Sequence, residues 1–258
     1  MGIKDQMEIK KLNTACGWLW IKQGNYLFKK SPVLLATLSL IAIAATIGVS
    51  SIPAVGEPLS AFLFPVIFSG LLWGCHALEH DEELELSHLF LGFRRNTQKL
   101  VMLGTFNLLG NYLILGVMKI AGGGALVDLM TSDTPDVDAT VVVQAISGAG
   151  FAIVISLVLS VVFLMATQFA PMLVTFDNQS PVAALKASLL GTWRNLKPLS
   201  VYGIMMMLFM IVASLPLMLG WFILLPVMIT SLYAAYRGIF PWPDESVVTV
   251  PSAPHPES

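Results

Sequence analysis

The amino-acid sequence predicts an all-α membrane protein with six transmembrane helices, on the basis of its composition and its succession of apolar segments. Of the 258 residues, 56% are apolar and only 12% are charged, and the mean hydropathy is +0.78. Soluble domains carry about 25% charged residues, so this composition excludes an ordinary soluble fold. Six apolar runs have roughly the 20 residues that a helix needs to cross a bilayer.

Turn-forming residues separate the apolar runs and set the limits of the predicted spans. Pro53, Gly56 and Pro58 mark a tight turn after the first run, and residues 216–220 mark a similar turn before the last. We expect residues 1–240 to form one transmembrane domain. Its predicted spans cover about residues 33–52, 59–78, 100–120, 148–174, 199–215 and 221–237.

Two segments lie outside these spans. Residues 121–147 begin with a glycine run and contain four aspartates, so we expect an outer loop there, with a short helix near residues 125–130. Residues 241–258 are rich in proline and contain no aromatic residue after Trp242. Such a segment has little apolar surface to bury, and we expect it to be a disordered cytoplasmic tail.

A repeat organises the chain. The segment 86–104, LSHLFLGFRRNTQKLVMLG, returns 99 residues later as 185–203, LKASLLGTWRNLKPLSVYG, with seven of nineteen positions identical. The matched glycine, arginine and asparagine residues are more informative than the leucines in so apolar a chain. The identical pairs are Leu86/Leu185, Leu91/Leu190, Gly92/Gly191, Arg95/Arg194, Asn96/Asn195, Leu100/Leu199 and Gly104/Gly203.

Each copy is typical of an amphipathic helix on the membrane surface, followed by a basic aromatic corner and entry into an apolar run. A weaker third copy has Phe28-Lys29-Lys30 as its corner. Pro65, Pro171 and Pro226 lie in the second span that follows each corner. The sequence therefore predicts three hairpins, each preceded by a cytoplasmic-side interfacial helix.

The distribution of positive charge predicts the orientation. Thirteen of the 14 Lys and Arg residues fall on one side of the predicted spans, and only Lys119 falls on the other. Positive charge concentrates on the cytoplasmic side of membrane proteins. We therefore expect both termini to be cytoplasmic, in the inner membrane of a bacterium, with the 121–147 loop facing outward.

The basic corners are candidate anchors for anionic lipid headgroups, since each such contact contributes about 1 kcal/mol. A phosphate-bearing lipid or partner is the sharper alternative. The net charge of −2 argues against nucleic acid as a partner. The candidate anchors are Lys29, Lys30, Arg94, Arg95, Arg194 and Lys197.

Three polar residues within the spans are candidates for a polar face. Asn107 and Asn111 are four residues apart and so share one side of a helix, and Gln168 is placed to meet them. They could line a path for a substrate. Hydrogen bonding between helices, at roughly 1 kcal/mol or less per contact, is the interpretation we favour from the sequence.

Metal binding and catalysis have weaker support. His76 and His80 are four residues apart beside several acidic residues, which suits one metal ion, but no third ligand has a fixed spacing. No GxSxG, HExxH or P-loop motif occurs. We therefore expect no enzyme activity and no cofactor.

Four stretches of the chain resemble an uncharacterised family of bacterial polytopic inner-membrane proteins. They are GWLWIKQGNYLFKKSP, IPAVGEPL, HALEHDEELELSHLFLGFRR and LLPVMITSLYAAYRGIF. More distantly, the chain is similar to the membrane regions of some bacterial glycerophosphodiesterases. The resemblance implies a localisation and a fold, and it assigns no functional residue.

The first functional hypothesis is a non-enzymatic accessory, scaffold or assembly subunit of a membrane complex, motivated by the missing motifs and missing buried charges. A lipid or small-solute translocator is the alternative, and a metal-binding membrane protein is the second alternative. The expected partners are membrane lipids and either another membrane protein or a second copy of the chain. A GxxxG pair at Gly70 and Gly74 would suit such a dimer.

Overall fold

The computed structural model describes residues 9–131 and 138–242, and the fold in those ranges is all-helical, without a strand. The helices are α1 (Cys16–Lys30), α2 (Pro32–Ser50), α3 (Gly56–Glu79), α4 (Leu91–Arg94), α5 (Thr97–Met118), α6 (Gly124–Thr131), α7 (Ala139–Gly148), α8 (Gly150–Thr167), α9 (Ala170–Thr175), α10 (Pro181–Arg194), α11 (Leu196–Ser214) and α12 (Trp221–Ile239). A 3₁₀ turn (Leu86–Phe90) precedes α4, and a π turn (Lys119–Gly123) follows α5.

Six helical segments in the described ranges are long and apolar enough to cross a membrane. Each overlaps one of the spans predicted from the sequence, so the prediction of six long apolar helices is confirmed. Their limits are Pro32–Ser50, Gly56–Glu79, Thr97–Leu129, Gly150–Thr175, Leu196–Ser214 and Trp221–Ile239.

The predicted loop at 121–147 is helical over most of its described residues. Gly122 has a φ of +100°, a conformation that suits glycine, and α6 follows where a short helix was expected. The sequence analysis missed α7, which begins after Asp138. The Asp138 carboxylate accepts a hydrogen bond from the Thr140 amide and so caps α7. Residues 132–137 of this loop lie outside the described part of the chain.

The fourth predicted span is interrupted near its end. Helix α8 ends at Thr167, and α9 begins at Ala170 with Pro171 in its first turn, where a missing N–H costs no hydrogen bond. The Phe169 amide, freed by the break, donates to the Ser188 hydroxyl at 3.1 Å. Pro171 therefore starts a helix, whereas Pro65 and Pro226 lie inside α3 and α12 as predicted.

The chain forms two compact units. Unit 1 comprises Met1–Leu40, Leu71–His88 and Leu190–Ser258, and in it α1 packs along α11 and α12. The buried face of α1 has the three-to-four-residue spacing of an amphipathic helix. Gly24 permits the closest approach: a Cβ there would come within 3.0 Å of the Ser231 backbone. The face consists of Gly17, Trp20, Ile21, Gly24 and Leu27.

Unit 2 comprises Ile41–Gly70 and Leu89–Leu189. Here the segment around α4 packs on α3: an added Cβ at Gly92 would strike the Val66 carbonyl, and one at Gly70 would strike the Leu89 backbone. A packing role inside one chain therefore accounts for Gly70 of the GxxxG pair. Gly104 in α5 makes an equally close approach to the Ala61 carbonyl.

The two repeated asparagines both bond to backbone groups distant in sequence. Asn96, at a φ of +57°, donates to the Val174 carbonyl at 3.0 Å in unit 2. Asn195 in unit 1 is fully buried, accepts from the Leu12 amide at 2.8 Å and donates to the Lys10 carbonyl at 2.9 Å. Each asparagine thus anchors the start of an apolar helix, which explains why this residue recurs in both copies.

Candidate functional site

A polar groove lies in unit 2, within the apolar helices. It has a volume of about 610 Å³, and residues of α2, α3, α5 and α8 line it. Asn107 and Asn111 lie on its wall, one helical turn apart as predicted. The polar residues of the lining are Thr46, Ser60, Asn107, Asn111, Ser160 and Thr167.

The hydroxyl groups and the amide groups that line this groove differ in their hydrogen-bond partners. Thr46, Ser60 and Thr167 each donate to a carbonyl of their own helix. In the described part of the chain, no hydrogen bond engages the side-chain amides of Asn107 and Asn111. Both residues line the groove, and the interhelical hydrogen bonds that we favoured from the sequence stay a prediction.

Gln168 does not join this lining. It lies at the break between α8 and α9, where its backbone amide donates to the Leu164 carbonyl at 2.9 Å. The structure therefore brings together two of the three residues of the predicted polar face. Thr46 and Ser160, which the sequence analysis did not single out, take part instead.

A second site, the Glu79–Arg237 cluster, joins the ends of α3 and α12 in unit 1. The Glu79 carboxylate accepts a hydrogen bond from the Tyr233 hydroxyl and an ion-pair contact from Arg237 Nε at 3.1 Å. The Arg237 side chain is 9% exposed, against 30% for Glu79. Trp242 covers the guanidinium, with 3.8 Å between Arg237 Cζ and the ring centroid.

This cluster was not predicted from the sequence, because Glu79 is far from Arg237 and Trp242 along the chain. From the sequence, Arg237 is one of the thirteen cations on the predicted cytoplasmic side, and Trp242 falls in the predicted disordered tail. Trp242 belongs to the described residues, whereas 243–258, the rest of that predicted tail, lie outside them. The signal available was one acid and one base at the ends of two spans on the same predicted side.

His76 and His80, the candidate metal ligands, lie at the edge of this cluster. Their rings meet edge to face with centroids 4.3 Å apart, and the His76 ring lies 5.1 Å from that of Trp242. The Tyr233 hydroxyl is 3.4 Å from His76 Nδ1. Within residues 9–131 and 138–242, no three His, Cys, Asp or Glu side chains are grouped to hold a metal ion.

Lys30 has protein partners at the acidic turn after α3. Its ammonium group donates to the Leu78 carbonyl at 2.7 Å and pairs with the Asp81 carboxylate. The hydrogen bond and charge of Lys30 lower the pKa of Asp81. The lowered pKa means that the Asp81 carboxylate stabilises the fold at any pH above the pKa of Asp81 in the unfolded chain. This stabilisation is lost as the pH falls through the lower pKa of the folded chain. The contribution is small because Asp81 is exposed.

The other predicted headgroup anchors have exposed side chains, whereas Lys30 is partly buried. Phe93 and Trp193, beside Arg94 and Arg194, are 44% and 66% exposed. Exposed aromatic rings next to cations suit the interface between headgroups and hydrocarbon. The anchors with exposed side chains are Lys29, Arg94, Arg95, Arg194 and Lys197.

Among known proteins, the chain is similar to a probable inner membrane protein of Burkholderia thailandensis. The two are 27% identical over an alignment of 257 positions, which spans 91% of this chain and 94% of that protein. No family model matches the chain, and no solved structure matches it. The similarity to glycerophosphodiesterase membrane regions stays a prediction.

The six apolar helices and this relative agree with each other. The helices have the length and the hydropathy of membrane spans. The relative, which the chain matches over 94% of its length, is described as a probable inner membrane protein. The resemblance to bacterial inner-membrane proteins is confirmed at this level. The chain is an integral membrane protein that is helical in its described residues and is similar to a probable inner membrane protein.

Proposed function

We propose that the protein binds a small polar or amphipathic molecule in the polar groove of unit 2 and passes it through the membrane. This is the translocator hypothesis of the sequence analysis, which the groove now favours over the accessory-subunit hypothesis. The observation that supports it is the pair of amides, Asn107 and Asn111, that face the groove without a protein partner in the described residues.

The cost of such amides in hydrocarbon supports a ligand. A polar group without a hydrogen-bond partner in an apolar medium costs about 2–7 kcal/mol, and the groove lies between helices that have the composition of membrane spans. Water or a polar headgroup in the groove would satisfy both amides. Phe64, Phe163 and Leu164 line the same groove, so its walls also accept an alkyl chain. A lipid or a similar amphiphile fits this mixed lining.

The orientation completes the proposal. Both termini and the basic corners lie on the cytoplasmic side, and three hairpins are each preceded by an interfacial segment. Two equivalent contacts support the repeat, and each joins the segment before one corner to the proline-containing helix of another hairpin. Gly24, four residues before Phe28, meets Ser231, five residues after Pro226. Leu89, four residues before Phe93, meets Gly70, five residues after Pro65.

Leucine at both Asn107 and Asn111 is expected to abolish translocation while stabilising the protein. The change removes the polar lining, and it also removes two amides that cost free energy, so the stability in detergent should rise by about 1 kcal/mol or more. The assay reconstitutes the protein in vesicles that contain a fluorescent phospholipid and measures how fast the inner leaflet becomes accessible to a membrane-impermeant quencher.

Thr105→Val provides the matched control. Thr105 lies on the same helix, donates to the Val101 carbonyl at 3.1 Å and does not line the groove. It should leave the translocation rate unchanged. If the Asn107→Leu/Asn111→Leu protein instead unfolded more easily than wild type, the amides would be structural. If it moved the phospholipid at the wild-type rate, the groove would not be the path.

The two other hypotheses stay untested predictions. An accessory role in a membrane complex would be favoured if groove variants had no effect on lipid movement and crosslinking in native membranes captured a defined protein. Metal binding at His76 and His80 is least favoured, because no three His, Cys, Asp or Glu side chains of the described residues are grouped to hold a metal ion.

A further inference from the structure

A second groove, in unit 1, combines an apolar channel with a cationic end. It has a volume of about 530 Å³ and lies between α1, α11 and α12. From α1 it receives Trp18, Lys22 and Asn25. The remaining lining is apolar and runs along α11 and α12 as far as Pro216 and Gly220, at the turn that joins those two helices.

We propose that this groove binds one anionic phospholipid of the cytoplasmic leaflet, with an acyl chain along α11 and α12 and the headgroup at Lys22. The proposal does not depend on the polar groove of unit 2. It depends on the proposed orientation, which places α1 at the cytoplasmic surface.

The charge of Lys22 identifies the headgroup. Its ammonium group lies 5.7 Å from the centroid of the Trp18 ring, and in the described part of the chain no carboxylate pairs with it. Lys30, eight residues further along, differs because it is paired with Asp81. A cation that is held beside an aromatic ring and lacks a protein counter-ion is complementary to an anionic phosphate. Asn25 adds a neutral hydrogen-bonding group on the same wall.

The apolar lining identifies the rest of the ligand. Phe209, Val212, Ile223 and Val227 form its walls, and Trp18 meets Phe209 with ring centroids 6.5 Å apart. The groove therefore begins at a cation on α1 and continues along two apolar helices toward their connecting turn. This is the order of groups in a phospholipid, from headgroup to acyl chain. Lys22 is not among the headgroup anchors predicted from the sequence, because only the fold places it on the wall of this groove.

Native mass spectrometry of the full chain with added phosphatidylglycerol or phosphatidylcholine tests the proposal. One tightly bound phosphatidylglycerol is expected. Lys22→Ala should weaken its binding about five-fold, the equivalent of one headgroup contact of about 1 kcal/mol, and should leave phosphatidylcholine binding unchanged. Lys22→Arg should retain the preference for phosphatidylglycerol.

Two further variants keep the test decisive. Lys11 is exposed just before α1 and does not line the groove, so Lys11→Ala should change binding less than two-fold. Ile223→Trp fills the apolar part of the groove and should weaken both lipids. Equal losses in Lys22→Ala and Lys11→Ala would overturn the proposal, since they would indicate general surface charge. Unchanged binding in Ile223→Trp would overturn the acyl-chain site.

Discussion

Replacing Glu79 with alanine is expected to destabilise the protein by about 3 kcal/mol. Removal of one partner from a buried ion pair costs about 3–5 kcal/mol, because the other charge stays buried without compensation. Arg237 is 9% exposed, but Glu79 is 30% exposed. Because water reaches the Glu79 carboxylate, the expected loss of stability lies at the lower end of this range. The loss is measured as a shift in unfolding by denaturing detergent, followed by fluorescence of the tryptophans.

The double variant separates the ion pair from the space that Glu79 fills. With Glu79→Ala and Arg237→Met together, no charge is left buried, and stability should return to within about 1 kcal/mol of wild type. Glu82→Ala is the matched control, since Glu82 is exposed in the adjoining acidic segment, and it should change stability by no more than about 0.5 kcal/mol. A loss in Glu79→Ala no larger than in Glu82→Ala would show that the cluster contributes nothing to the fold.

Alanine at the two repeated glycines Gly104 and Gly203 is expected to have opposite effects. A Cβ at Gly104 would meet the Ala61 carbonyl and Phe62 Cα within 3.0 Å, whereas a Cβ at Gly203 would meet nothing within 4 Å. Overpacking against backbone costs about 1–3 kcal/mol, so Gly104→Ala should destabilise unit 2. Gly203→Ala should stabilise its helix by up to about 1 kcal/mol, the difference in helix propensity.

The same denaturing-detergent titration measures both glycine variants, each of which serves as the control for the other. The two glycines occupy equivalent positions in the repeat. The difference between the stability changes of the two variants therefore separates the effect of the helix contact from the effect of helix propensity. Equal destabilisation in both variants would contradict the close approach of α5 to Ala61.

The overall class and the helices could be predicted from the sequence, because hydrophobic length is a local property. Six long apolar helices require only runs of apolar residues, and each run is visible without knowledge of its neighbours. The missed helix α7 shows the limit of this reasoning. Asp138 was interpreted as one of several loop aspartates, although one aspartate before an apolar stretch also caps a helix.

The candidate sites were harder to predict, because they depend on which helices meet. Spacing alone placed Asn107 and Asn111 on one face, but only the fold shows that this face lines a groove with Ser160 and not with Gln168. The Glu79–Arg237 pair joins residues 158 positions apart. A periodicity argument carries no information at such separations, so the sequence offers only the weak signal of one acid and one base at the ends of two spans on the same predicted side.

Six membrane crossings with the basic corners on the cytoplasmic side would place the C-terminus and the 121–147 loop in opposite compartments, which a pair of reporter fusions measures. A green fluorescent protein fused after Ser258 should fluoresce, because that reporter folds in the cytoplasm, and alkaline phosphatase inserted at Thr134 should be active, because it folds in the periplasm. Both grooves would then lie where the proposals place them. Reporters found in the same compartment, or in the reverse arrangement, would contradict the account.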